Sequence, residues 1–228
     1  MKSIFDTYCY QASKNVTKTY STSFYSGVSK LDKKIRNDVH AIYGMVRFAD
    51  EIVDSFHDFD KETLLQEFKE ATFLAIERGV SLNPILNSFQ ATVNKYSIDF
   101  DLINQFFNSM EMDLNPVNYT QEKYDEYIFG SAEAVGLMCL KIFVYGDSAE
   151  YEKLKPYAMR LGAAFQKINF LRDIKDDSQV LGRLYFPNVD TNNMTLANKL
   201  EIEKEIKKDF DEAFKGIGML PKSSRFGV

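Results

Sequence analysis

The sequence predicts an all-α fold, and three observations support this prediction. Apolar residues recur at intervals of three and four through long segments, for example in residues 35–46 and 202–217. This is the period of an amphipathic helix. No segment alternates apolar and polar residues as a half-buried strand does. Four of the five prolines fall between the periodic segments. We therefore expect one domain of packed helices spanning residues 1–228.

Each helix is placed by its apolar period and by the breakers on either side. The segments predicted as helices are residues 3–19, 32–55, 60–79, 83–96, 99–112, 121–130, 132–145, 150–179 and 196–218. Residues 180–193 are predicted to form a loop. Pro156 is expected in the first turn of a helix, where no backbone donor is needed. The Pro and Ser cluster after Leu220 resembles a helix start, so we expect the last helices of the domain to lie beyond Val228.

Composition limits the function classes. The chain has 228 residues, of which 45% are hydrophobic, and a net charge of −5. This charge argues against a nucleic-acid partner. The N-terminus has no apolar signal-peptide core, and no run of about 18 apolar residues predicts a membrane span. Cys9 and Cys139 have neither metal-ligand nor disulfide spacing, so a reducing, cytoplasmic location is expected.

The first candidate site is a stripe of polar residues on one predicted helix. Tyr43, Arg47, Asp50 and Asp54 follow one another at spacings of four, three and four, so they share one helical face. Like charges four residues apart repel, so the helix itself gains nothing from this pair of aspartates. A shared divalent cation would explain their presence. The flanking residues of the stripe are apolar, as expected for the wall of a cavity.

A second stripe repeats the pattern far along the chain. Gln166, Asn169, Asp173 and Asp177 are spaced by three, four and four, and Arg172 lies beside them. One such cluster alone is more often a solvated face, but two with the same register indicate a site. Carboxylates are the ligands that Mg²⁺ prefers, often together with substrate phosphates. Arginine adds bidentate contacts to phosphate oxygens.

The second stripe and its flanks resemble the second signature of the squalene/phytoene synthase family. The matching positions are Leu161, Gly162, Gln166, Asn169, Phe170, Arg172, Asp173, Ile174, Asp177, Arg183, Tyr185 and Pro187. The segment 43–49 before the first aspartates also resembles the family, and Tyr20–Phe24 is similar to its Ser-x-Ser-Phe segment. The resemblance covers nearly the whole chain and is strongest to bacterial phytoene synthases.

This resemblance implies an isoprenoid-synthase helical bundle around a central cavity. The implied reaction is the head-to-head condensation of two geranylgeranyl diphosphates through a cyclopropylcarbinyl diphosphate. Its products would be phytoene, a carotenoid precursor, and diphosphate. The implied cofactor is Mg²⁺, with Mn²⁺ as a substitute, and NADPH is not expected. Because substrate and product are lipids, peripheral contact with the inner face of a membrane is also plausible.

The resemblance also assigns roles to residues. The expected metal ligands are Asp50, Asp54, Asp173 and Asp177. The residues expected to contact diphosphate or close the flap over it are Ser21, Ser23, Tyr43, Arg47, Gln166, Asn169, Arg172, Arg183 and Tyr185. The residues expected to line the isoprenoid tunnel are Phe24, Tyr127, Val135, Leu137 and Phe165. Segment 127–136 departs from the family pattern, since Ile128 and Glu133 stand where small residues are usual. Glu133 is expected to put a charge near the pocket.

Two alternatives remain open, and a third is disfavoured. Squalene or dehydrosqualene synthase would use farnesyl diphosphate, and the chain length of the substrate depends on tunnel depth. A non-catalytic helical assembly factor of the same fold is the second alternative. His57-Asp58 resembles the His-Asp pair of metal-dependent phosphohydrolases, but His40 is the only other histidine. The sequence leaves the oligomeric state undetermined.

Overall fold

The computed structural model describes residues 1–114, 120–176, 186 and 194–228, with backbone only for residues 174–176. The helices in these ranges are α1 (Lys2–Tyr20), α2 (Thr22–Val28), α3 (Lys33–Ser55), α4 (Lys61–Arg78), α5 (Pro84–Tyr96), α6 (Phe100–Leu114), α7 (Gln121–Ile128), α8 (Ala134–Phe143), α9 (Ser148–Asp176), α10 (Leu196–Met219) and α11 (Lys222–Arg225). A π-helical turn, Phe129–Glu133, joins α7 to α8. The described ranges contain no strand, which confirms the all-α prediction.

The predicted helices agree with the observed ones to within a few residues, and three features differ. Helix α2 was not predicted, because a single extended residue, Ser21, separates it from α1. The π-helical turn between α7 and α8 was also not predicted. Pro156 lies inside α9 and not in its first turn. The helix begins about two turns earlier, so the proline removes one backbone donor from its interior.

Side-chain caps explain several helix starts. Asp32 accepts the backbone N–H of Lys34 at 2.8 Å, one of the donors that has no partner inside a helix. Pro84 occupies the first turn of α5, where it displaces no hydrogen bond. Thr195 and Asn198 form a reciprocal capping box at the start of α10. These local signals account for the accuracy of the predicted boundaries.

Helix α3 lies at the centre of the larger core. It packs against α1, α4, α5, α6 and α8. Its buried apolar residues are Ile35, Val39, Ala41, Ile42, Met45, Ala49, Ile52 and Val53. Full burial of one aliphatic side chain is worth about 1.5–3 kcal/mol, so this face holds the helix firmly. The polar stripe that shares the helix therefore stands on a rigid support.

A second core cluster joins α7, α9 and α10. Its buried members are Tyr124, Tyr127, Ile128, Ala163, Ala164, Phe170, Phe186, Ile202 and Ile206. Helix α9 is thereby fixed between α7 and α10. None of the helices in the described part of the chain is both long and apolar enough to cross a bilayer.

Two glycines allow α9 and α6 to approach the π-helical turn closely. A Cβ at Gly162 would lie 2.9 Å from the carbonyl oxygen of Ala132. A Cβ at Gly130 would overlap the backbone of Gln105 in α6. Such contacts exclude any side chain. The turn is therefore packed tightly between α6 and α9, and α9 carries the second polar stripe.

Candidate active site

The first polar stripe is centred on Arg47. Its two terminal nitrogens donate to the carboxylates of Asp50 and Glu51. The guanidinium carbon lies 4.5 Å from the centroid of the Tyr20 ring, a cation–π contact. Arg47 and Asp50 are partly exposed, with side-chain exposures of 25% and 34%. The stripe is thus half-buried and accessible to a small polar ligand.

Asp50 is surrounded by more acidic than basic side chains. Burial raises the pKa of its carboxyl to about 7, and the charges of Asp54, Asp113 and Glu51 add to this rise. Arg47 acts in the opposite direction but does not compensate for it. A bound cation would relieve this repulsion. Asp50 and Asp54 therefore suit a hard divalent cation by their chemistry and by their surroundings.

Glu51 behaves differently from its neighbour. Burial acts to raise the pKa of its carboxyl, but the hydrogen bond from Arg47 and the nearby Ser55 and Tyr20 side chains outweigh this effect and lower it. Glu51 is therefore ionised at neutral pH and holds Arg47. The sequence gave no role to Glu51 or Tyr20, because neither lies on the stripe of residues 43, 47, 50 and 54 and no assigned role included them.

Asp113 was also missed from the sequence. It lies near the end of α6, two residues after Glu111, and only the fold shows that its side chain is buried. The hydroxyl of Tyr127 donates to it at 2.7 Å. The ring of Tyr127 lies 5.8 Å from that of Phe170 in α9. Asp113 thus acts on the first stripe through its charge, and Tyr127 links it to the helix that carries the second stripe.

The Ser-x-Ser-Phe segment lies against the first stripe. Ser21 caps α2 by accepting the backbone N–H of Phe24 at 3.2 Å, and its hydroxyl lies 3.4 Å from that of Ser23. The ring of Phe24 stacks on Tyr43 at 4.9 Å. Burial raises the pKa of Tyr43, and a hydrogen bond with Ser21 partly offsets this. Helix α2 therefore brings two hydroxyls and an aromatic ring to the polar face of α3.

The second stripe lies on α9 with intermediate exposure. Gln166, Asn169 and Asp173 are all partly buried. Arg172 is exposed and makes a two-bond pair with Asp173, at 2.7 and 2.6 Å. The flanking Phe165 is half exposed. Asp177, Arg183 and Tyr185 lie outside the described residues.

Helix α9 is tied to α10 by a buried charge network on its other side. Lys167 pairs with Asp209 at 2.8 Å and also with Glu205. Arg160 reaches the same Asp209 at 3.1 Å. This network fixes the orientation of α9, and with it the second stripe.

Glu133 lies in the π-helical turn close to this network. Burial raises the pKa of its carboxyl to about 7. Arg160 and Lys167 lower it, whereas Asp209 and Asp125 raise it. The charges that act on Glu133 thus come chiefly from α9 and α10. Val135, two residues on, is partly buried and packs against the larger core.

The described residues contain no group of three or more His, Cys, Asp or Glu side chains at metal-binding distance. Mg²⁺ commonly uses one or two carboxylates and completes its shell with water and substrate phosphate, so a pair such as Asp50 and Asp54 is sufficient. The histidine alternative finds no support in the described residues. His40 is buried and bonded to Thr17 at 3.0 Å, whereas His57 lies beside Lys61.

Comparison with known proteins gives a consistent result. A family model described as squalene/phytoene synthase matches residues 17–228. Chloroplast phytoene synthase 1 of Arabidopsis thaliana is 27% identical over 240 residues, which cover 96% of this chain and 56% of that protein. The 4,4'-diapophytoene synthase of Staphylococcus haemolyticus is 26% identical over 201 residues, covering 87% of this chain and 67% of that protein. The chain thus spans little more than half of the Arabidopsis relative.

Solved structures share the fold. A dehydrosqualene synthase in complex with ligand superposes with a TM-score of 0.84 at 21% identity, covering 96% of this chain and 80% of that one. A squalene synthase from Alicyclobacillus acidocaldarius gives a TM-score of 0.80 at 20% identity, covering 96% and 87%. At these identities the likeness establishes the shared all-α isoprenoid-synthase fold.

Proposed function

Because the chain belongs to the squalene/phytoene synthase family, we propose that it joins two prenyl diphosphates head to head. The product we propose is phytoene, made from two geranylgeranyl diphosphates. In the first step the C–O bond of one allylic diphosphate breaks and diphosphate leaves. The allylic carbon then bonds across a double bond of the second substrate, and loss of a proton closes the ring of a cyclopropylcarbinyl diphosphate. In the second step this intermediate loses its diphosphate, the cyclopropane ring opens with rearrangement, and loss of a second proton gives a linear polyene.

One observation carries the proposal: a guanidinium and crowded carboxylates meet on the half-buried face of α3. Arg47 supplies donors for diphosphate oxygens. Asp50 and Asp54 would hold Mg²⁺, or Mn²⁺ in its place, which when bound supplies Lewis-acid assistance to the departure of diphosphate. The repulsion around Asp50 supports this assignment, since a cation would remove it.

The remaining residues would shelter and orient the substrate. The hydroxyls of Ser21 and Ser23 lie near Tyr43 and would contact diphosphate oxygens. The stacked rings of Phe24 and Tyr43 provide π-faces of the kind that attract a cationic carbon. On α9, Gln166 and Asn169 would orient the second diphosphate. These roles follow from side-chain chemistry and position.

The length of the substrate is the finer part of the proposal. The likeness to phytoene synthases of Arabidopsis and tomato, at 27% and 28% identity, supports geranylgeranyl diphosphate as the substrate of this chain. The likeness to the staphylococcal diapophytoene synthase and to the dehydrosqualene synthase structure supports farnesyl diphosphate as the alternative. The identities are too similar to separate the two, so the product must be measured.

The test is to incubate the protein with Mg²⁺ and either geranylgeranyl or farnesyl diphosphate, with and without NADPH. We expect phytoene and released diphosphate from the first substrate, no requirement for NADPH, and loss of both products with EDTA. A C30 hydrocarbon from farnesyl diphosphate alone would establish the alternative substrate. If a folded protein gave no product from either substrate, the enzymatic function would be refuted in favour of a non-catalytic role.

A further inference from the structure

Two residues to which the sequence assigned no role hold the guanidinium of Arg47 from different directions. The ring of Tyr20, the last residue of α1, lies 4.5 Å from the guanidinium carbon. The carboxylate of Glu51, one turn along α3 from Arg47, accepts a hydrogen bond from a terminal nitrogen. Tyr20 and Glu51 therefore both contact Arg47, one through its ring and the other through its carboxylate.

The remaining contact of Arg47 is of a different kind. Its other terminal nitrogen donates to Asp50, which the proposed function assigns to a metal ion. Its Nε is buried and has no hydrogen-bond partner among the described residues. A carboxylate engaged with a cation holds an arginine less strongly, because its charge is shared. Tyr20 and Glu51 are the contacts that would persist when substrate and metal bind.

We propose that Tyr20 and Glu51 are positioning residues that keep the Arg47 guanidinium oriented for diphosphate. The inference rests on the proposed function. A stacked ring fixes the plane of a guanidinium, and an ion pair fixes its rotation within that plane. An arginine held in this way loses less side-chain freedom when it binds an anion, which strengthens binding without any new contact with the ligand.

The experiment measures the binding of inorganic diphosphate by calorimetry, with and without Mg²⁺, together with kcat and KM for geranylgeranyl diphosphate. The variants are Glu51→Gln, Tyr20→Leu and Tyr20→Phe, the last keeping the ring but not the hydroxyl. Tyr8→Leu is the matched control, since Tyr8 is an exposed tyrosine of the same helix. Glu67→Gln is a control for the loss of an exposed glutamate charge.

We expect Glu51→Gln to weaken diphosphate binding and raise KM by about tenfold, the size of one charge-assisted hydrogen bond. Tyr20→Leu should weaken binding about threefold to fivefold, in line with a partly exposed cation–π contact. In Tyr20→Phe part of this loss should be recovered, since the ring remains. In all three variants kcat should change less than KM, and the two controls should match wild type.

A double-mutant cycle separates positioning from general damage to the fold. In an Arg47→Gln background, Glu51→Gln and Tyr20→Leu should cause no further loss of diphosphate binding, because they act through Arg47. Additive losses, or unchanged binding in the single variants of an active protein, would overturn the positioning role and leave the proposed function intact. A folded wild type that neither binds diphosphate nor turns over substrate would overturn both.

Discussion

Replacing Lys167 by methionine should destabilise the protein strongly, although the apolar stem of the side chain is preserved. The side chains of Lys167 and Asp209 are only 7% and 6% exposed, and they pair at 2.8 Å. Removing one partner of a buried pair leaves an uncompensated charge, which costs about 3–5 kcal/mol. Arg160 still reaches Asp209 at 3.1 Å, so we expect a loss of about 3 kcal/mol, near the lower limit of that range.

Urea denaturation and thermal melts, both followed by circular dichroism, measure this loss. For a protein of this size, Tm should fall by about 6–12 °C, at about 2–4 °C per kcal/mol. The double variant Lys167→Met/Asp209→Leu should recover most of the stability, since it removes both buried charges. The control is Lys199→Met, which breaks an exposed pair with Glu203 at 3.6 Å and should cost less than about 1 kcal/mol.

Two results would refute this reasoning. A free energy of unfolding for Lys167→Met within about 1 kcal/mol of wild type would show that the buried pair behaves as an exposed one. A double variant as unstable as the single one would show that the loss comes from packing and not from an unpaired charge. Either result would also weaken the view that this network orients the second stripe of α9.

Three further predictions concern the surroundings of the site. The pKa of the Glu133 carboxyl is raised to about 7. The contribution of this group to stability is therefore complete below its unfolded pKa and is lost as pH rises through about 7. Urea midpoints measured from pH 4 to 8.5 should fall less for Glu133→Gln than for wild type, and an equal fall in both proteins would contradict this. Gly162→Ala should destabilise by about 1–3 kcal/mol through overpacking against the π-helical turn, whereas Gly218→Ala, where a Cβ meets no atom within 4 Å, should be neutral or stabilising in the same thermal melts. Tyr127→Phe should cost about 1–3 kcal/mol by removing a hydrogen bond to buried Asp113, and an unchanged denaturation midpoint would exclude that bond as a stabilising contact.

Sequence periodicity was sufficient to predict most of the fold. The long helices were predicted to within a few residues because their ends carry side-chain caps, as at Asp32 and Thr195. Helix α2 was not predicted because only one extended residue, Ser21, separates it from α1, and the sequence around Ser21 carries no clear helix boundary. The π-helical turn was not predicted because it depends on the close approach of α6 and α9 at Gly130 and Gly162. No local sequence pattern reveals this approach.

The site was predictable only where its residues share one helix. Tyr43, Arg47, Asp50 and Asp54 are in register along α3, so their spacing alone indicated a common face. Asp113 comes from another helix, and its proximity to Asp50 is a consequence of packing. The supporting roles of Tyr20 and Glu51 likewise depend on distances between side chains, whereas the family resemblance selects only the positions that match its motif.

We propose that the polar face of α3 binds the diphosphate of a prenyl substrate through Arg47 and metal-bound carboxylates. The most direct test compares diphosphate release from geranylgeranyl diphosphate by wild type and Asp50→Asn at saturating Mg²⁺, with the fold checked by circular dichroism. We expect Asp50→Asn to lower turnover by about 100-fold or more, on the scale of losing one preorganised electrostatic contact, with little change in the fold. Near-normal turnover in this variant would contradict the claim.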